Sequence, residues 1–158
     1  PILGFNFGAA RWDRVKRTLK IGVCLGVAIT TAGFIITEAF PDAISSLFTR
    51  DETLTAIARD GFRIYFMFYP VVGCQIVIQN FFQSIGKPKL SIFLSLTRQL
   101  LFLLPFLIIL PRYYGVDGVW ASMCGSDLIA FIVAVVTLYF MVRKLNKQFV
   151  GVKPIVQE

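Results

Sequence analysis

The chain has 158 residues; 56% are hydrophobic, 15% aromatic and 16% charged, with mean hydropathy +0.73. Soluble domains run at about 45–50% apolar and about 25% charged, so the composition excludes a disordered chain and argues against a soluble domain. Histidine is absent, which excludes imidazole bases and ligands within the segment. The three cysteines, Cys24, Cys74 and Cys124, each sit in an apolar run. An odd count without paired spacing predicts neither a disulfide framework nor a zinc site, but small buried hydrophobes. No metal and no cofactor is expected.

In chain order, Pro1 to Ala10 reads as the end of a helix entering a glycine-containing turn, followed by a basic amphipathic stretch to Lys20. Trp12 there is expected to anchor at the membrane interface. Ile21–Thr37 is an apolar run of seventeen residues without a charge, predicting a span over 21–40. Gly22 and Gly26 form a GxxxG pair, read as a packing face. Glu38 falls near the outer headgroups at a solvated helix end. An external loop is expected over 41–61, with Thr49 as N-cap and Glu52 at N3 of a short amphipathic helix carrying Leu54, Ile57 and Ala58.

Ile64–Gly86 contains twenty-three uncharged residues and predicts a span over 62–85, with Pro70 as a candidate kink. The aromatic set Tyr65, Phe66, Phe68 and Tyr69 is read as packing. Gly86-Lys87-Pro88-Lys89 is a tight turn. Two further spans follow, over 90–110, interrupted by Arg98 and carrying Pro105, and over 117–142, interrupted by Asp127. Residues 143–158 read as a polar tail. Crossing a bilayer takes ~20 apolar residues, so the expected fold is all-α integral membrane with four spans.

Up-down threading places eleven basic residues on one side: Arg11, Arg14, Lys16, Arg17, Lys20, Lys87, Lys89, Arg143, Lys144, Lys147 and Lys153. The other side carries Arg50, Arg59, Arg63 and Arg112 among five acids. This is the positive-inside pattern, so the first side, with the C-terminus, is expected to be cytoplasmic. Membrane lipid, rather than nucleic acid, is the expected partner of the basic charge. Because the chain opens on Pro1 in mid-phrase, it is expected to be part of a larger protein.

Pro1-Ile2-Leu3-Gly4-Phe5-Asn6-Phe7-Gly8-Ala9 followed by Trp12-Asp13-Arg14-Val15-Lys16 resembles a phrase of the multidrug and toxic compound extrusion (MATE) family. Phe81-Phe82-Gln83-Ser84-Ile85-Gly86-Lys87-Pro88-Lys89, Arg98-Gln99, Leu104-Pro105 and Tyr114-Gly115-Val116-Asp117-Gly118-Val119-Trp120 are similar to the same family in the same order. The resemblance implies helices 9 to 12, most of the C-terminal lobe of a twelve-helix, two-lobe transporter of the inner or plasma membrane. It implies a secondary antiporter exporting cationic or amphipathic compounds in exchange for protons or sodium ions, with a missing N-terminal lobe as partner. The sodium-coupled branch carries a cation-site carboxylate in the helix equivalent to Ile64–Gly86. Here Tyr69 to Asn80 holds no acid and Gly73 lies near the expected place. The coupling ion is therefore expected in the N-terminal lobe.

Polar groups inside a bilayer are costly and usually face a bundle interior or a cavity. Gln75 and Gln79 lie four apart on one helix face with Asn80 beside it, the candidate wall of a substrate cavity or an interhelical amide contact. Arg98 and Asp127 fall about 4 Å apart in depth in a core ~30 Å thick, which predicts an ion pair between the third and fourth spans. Asp127 is also a candidate for attracting a cationic substrate. No catalytic residue is expected. Two other functions fit the composition less well: a lipid-linked oligosaccharide flippase, which would need several deep basic residues, and a structural membrane protein without transport.

Overall fold

The computed structural model describes residues 1–46 and 51–149, which are helical almost throughout. The elements in order are α1 (Ile2–Gly8), α2 (Trp12–Ala39), α3 (Pro41–Ser46), α4 (Glu52–Phe66), α5 (Tyr69–Ser84), α6 (Pro88–Leu96), a π-helical stretch (Thr97–Leu103) and α7 (Leu104–Phe149). By length and composition α2 and the run Pro88–Phe149 can each cross a membrane, and α4 with α5 can do so as a bent pair.

The Pro88–Phe149 run is not one rod. Gly115 adopts φ 58° and ψ −133°, outside helical geometry, and the chain doubles back there. This left-handed conformation carries little penalty for glycine. Beyond the turn the backbones close up: a Cβ on Gly118 would lie 2.5 Å from the Leu110 carbonyl oxygen, and one on Gly125 would lie 3.0 Å from the Phe106 ring. Residues 104–114 and 116–149 thus form an antiparallel hairpin. The returning leg offers Gly118, Ser122, Ser126, Ala130 and Ala134, all buried, at every fourth position. Such small side chains let membrane helices approach closely.

Within the span expected over 62–85, α4 and α5 meet at a 53° bend around Met67 and Phe68, just before the candidate kink at Pro70. Pro70 occupies the first turn of α5, where its missing N–H costs nothing, whereas in an unbroken helix its ring would strike the Phe66 carbonyl. The external loop expected over 41–61 is also largely helical, containing α3 and the start of α4. Its cap is Asp51, whose carboxylate accepts from the Thr53 and Leu54 amides at 2.8 and 3.4 Å. Glu52 is therefore the first helical residue and not the third; Thr49 lies outside the described residues. The expected tail begins too early, because α7 continues to Phe149.

The core lies toward the end of the bundle that carries most of the lysines. Val15, Ile78, Phe81 and Phe82 are fully buried there, joined by Trp12, Leu19, Ile85, Leu94, Ala134 and Leu145. Trp12, expected as an interfacial anchor, is buried in this core. Its ring stacks on Phe149 at 5.5 Å and 7°, and its indole N–H donates to Asn146 Oδ1. This ties the start of α2 to the end of α7. Of the cysteines only Cys124 is buried; Cys24 is exposed and Cys74 half-buried, and none is in a disulfide. The middle of α2 presents Ile21, Leu25, Ile29, Ile35 and Ile36 outward, as a lipid-facing helix does.

Candidate functional site

Two departures from regular helix, the α4–α5 bend and the π-helical stretch, meet the same stretch of α7. The α4–α5 bend leaves the last carbonyls of α4 without helical partners. One of them, on Ile64, accepts from the Cys124 thiol of α7 at 2.7 Å. The π-helical stretch begins at Thr97, and its second residue is Arg98. Pro105, just beyond it, has no N–H and its ring would strike the Leu101 carbonyl in a regular helix, so the wider turn relieves a built-in conflict.

Arg98 Nε lies 2.7 Å from Asp127 Oδ1, one turn along α7 from Cys124. The Asp127 side chain is 6% exposed and that of Arg98 31%. A lone charge at such a position costs at least about 2.5–3.5 kcal/mol, and each group relieves the other. Tyr65 of α4 lies within electrostatic reach of Asp127, Arg98, Tyr69 and Cys124, so these five side chains form one neighbourhood. Across the face of the π-helical stretch runs an open apolar groove of about 280 Å³, lined by Phe93, Leu96, Thr97, Leu100 and Leu101.

The α2–α5 crossing brings two backbones into direct contact. A Cβ on Gly73 would stand 2.4 Å from Thr30 Oγ1 and 2.5 Å from the Gly26 carbonyl oxygen. No carboxylate fits at position 73 in this packing. Thr30 caps the contact, donating to the Gly26 carbonyl at 2.9 Å. Gly22 and Gly26 therefore pack within the chain against Val77 and Gly73.

The three amide candidates take different places. Gln75 is 1% exposed, and neither its nitrogen nor its oxygen has a hydrogen-bond partner among the described residues. Gln79 is half-buried. Asn80 is exposed and donates to the Ile76 carbonyl of its own helix at 3.0 Å. No hydrogen bond joins any of them to Arg98 or Asp127 among the described residues.

The sequence reading missed Thr30, Cys124 and the π-helical stretch. A signal for the last was present in Pro105, whose ring conflicts with the Leu101 carbonyl of a regular helix.

Membrane-length apolar helices, a doubled-back hairpin and a buried ion pair beside broken helix define part of an integral membrane protein. The MatE family profile matches residues 1–109, and the chain belongs to that family of multidrug transporters. "Probable multidrug resistance protein NorM" of Bacillus cereus is 22% identical over 148 residues, covering 92% of this chain and 33% of that protein. "Uncharacterized transporter C323.07c" of Schizosaccharomyces pombe is 25% identical over 130 residues, covering 81% and 24%. The fold matches a MATE family transporter of the MOP superfamily in an outward-facing conformation with TM-score 0.86 at 20% identity, over 92% of this chain and 33% of that one. It matches one in an inward-facing conformation with TM-score 0.86 at 20% identity, over 92% and 34%. The chain thus spans a quarter to a third of the length of these relatives.

Proposed function

We propose that this chain supplies most of the C-terminal lobe of a secondary antiporter that exports cationic or amphipathic compounds in exchange for protons or sodium ions. The observation that carries the reading is the family match over residues 1–109. The equal likeness to outward- and inward-facing folds supports a unit that keeps its internal arrangement while the access path changes. That is how a repeat moving as a body behaves in alternating access.

In this reading the helices make four crossings: α2, the bent α4–α5 pair, residues 88–114 and residues 116–149. The lysine-rich end faces the cytoplasm, with anionic headgroups against its basic side chains, and the membrane is the inner or plasma membrane. A missing N-terminal lobe closes the pathway and binds the coupling ion. The lack of room for a carboxylate at Gly73 supports placing a sodium site outside this segment. Within it, Asp127, Gln75 and Gln79 are the candidate substrate contacts; Asn80 is the weakest, because its amide is engaged by its own helix.

The test is export by the complete transporter containing this segment, in cells lacking their own efflux pumps. Energised, saturable efflux of a cationic dye such as ethidium is expected; efflux indifferent to both proton and sodium gradients refutes the antiporter. Sidedness is checked with single cysteines. Lys87→Cys is expected to react with an impermeant maleimide only from the cytoplasm and Tyr113→Cys only from outside; labelling from one face refutes the threading.

A further inference from the structure

We propose that Asp127 is a proton-binding group of this lobe, and that the Arg98 guanidinium is the cation a proton displaces from it. The role in transport rests on the antiporter reading above; the protonation itself does not.

The geometry supplies the competition. Asp127 is nearly enclosed, while about a third of the Arg98 side chain is open, so the pair is approached from the arginine's side. Nε of Arg98 sits against Oδ1 at 2.7 Å, so a proton that neutralises the carboxylate removes the charge that holds the guanidinium. The groups within reach of Asp127 are Tyr65 from α4, Arg98 from the π-helical stretch and Cys124 from its own helix, with Tyr69 of α5 behind Tyr65. Arg98 is the only one of these that is charged at neutral pH. Among the described residues no three Cys, Asp or Glu side chains gather into a metal-sized cluster. A single carboxylate already facing a guanidinium is a poor cage for a metal ion but needs no further ligand to take a proton.

The step balances simply. A proton from the open side adds to a carboxylate oxygen of Asp127, an O–H bond forms, and the ion pair with Nε–H lapses. The pair goes from neutral to a single positive charge, held on Arg98. That charge opposes a cationic substrate nearby, so proton-loaded and substrate-loaded states exclude each other, as exchange requires. Arg98 also occupies the first turn of the π-helical stretch, so its release removes a tether from the one segment of this helix that is out of α-register. A wider turn of this kind is a recurrent site of functional rearrangement.

The experiment uses the complete transporter in lipid vesicles with two readouts. Infrared difference spectra between neutral and acid buffer are expected to show a protonated-carboxyl band that is lost in Asp127→Asn. The charge-neutral pair Arg98→Gln with Asp127→Asn, which strands no buried charge, is expected to fold if Asp127→Asn does not, and to lack the same band. Proton movement accompanying ethidium export is expected to fall at least tenfold in either variant. Persistence of the full band in a folded variant overturns the proposal, as does loss of the band with proton movement per exported molecule unchanged. A wild-type protein that shows the Asp127 band but exports under neither a proton nor a sodium gradient leaves the site standing and removes the antiporter reading; export driven by sodium alone overturns the role of Asp127 in transport.

Discussion

The two ends of this bundle are stabilised in different ways. The lysine-rich end is dry and aromatic: Phe81 and Phe82 pack edge to face at 5.6 Å, and Phe149 lies against both Phe7 and Trp12. The other end is polar and irregular. There Arg98 meets Asp127, Cys124 reaches the Ile64 carbonyl, Arg59 pairs with Asp42, and Arg63 lies 3.5 Å from Glu38. Close packing tolerates little movement because each contact depends on its neighbours' shape. Ion pairs and freed carbonyls can be re-partnered. The contrast assigns rigidity to the first end and change to the second.

The largest expected effect tests the polar end. Arg98→Ala strands a buried carboxylate, which costs roughly 3–5 kcal/mol. Adding Asp127→Asn is expected to recover part of that loss in thermal unfolding of the complete transporter. Strict additivity of the two losses would show that the pair is not energetically coupled.

Next comes the dry end. Phe82→Ala removes a fully buried ring and should cost about 3 kcal/mol, mostly as a cavity, since lipid is as apolar as the core. Ile29→Ala on the exposed face of α2 should be close to neutral; equal losses would erase the distinction between core and outer face.

The α2–α5 crossing joins the two ends. Gly73→Ala sets a methyl against the Gly26 backbone, which cannot swing aside as a side chain can, for a loss of about 1–3 kcal/mol. Gly22→Ala meets only Val77 Cγ1 at 3.4 Å and should be mild; the reverse order would refute the crossing geometry.

The smallest effect concerns Asp51, the exposed cap of α4. Hydrogen bonds from the Thr53 hydroxyl and then the Thr53 and Leu54 amides hold its carboxyl below the ordinary range. Its folded value is depressed, so the cap is fully present above the unfolded carboxylate range and is lost as pH falls through the folded value. Amide exchange at Thr53 and Leu54 should quicken on that descent, and in Asp51→Ala at every pH. Unchanged exchange in Asp51→Ala would deny the cap.

Hydropathy and charge placement are properties of single residues summed along a window, and they determined the membrane class, the apolar helices and the turns at Gly86 and Gly115. The depth argument brought Arg98 opposite Asp127 because a buried charge in hydrocarbon has few ways to be satisfied. Tertiary structure decided what depends on several residues meeting. Trp12 reads as an interfacial anchor from composition, yet the end of α7 arrives to cover it. Pro70 flagged a kink, but whether the span bends or breaks depended on what receives the freed carbonyls, and Cys124 comes from sixty residues away. Pro105 supplies the conflict that the widened turn beside Arg98 relieves. Gln75, marked by sequence as a polar wall, is enclosed without a partner among the described residues, because burial is set by the helices around it and not by the residue itself.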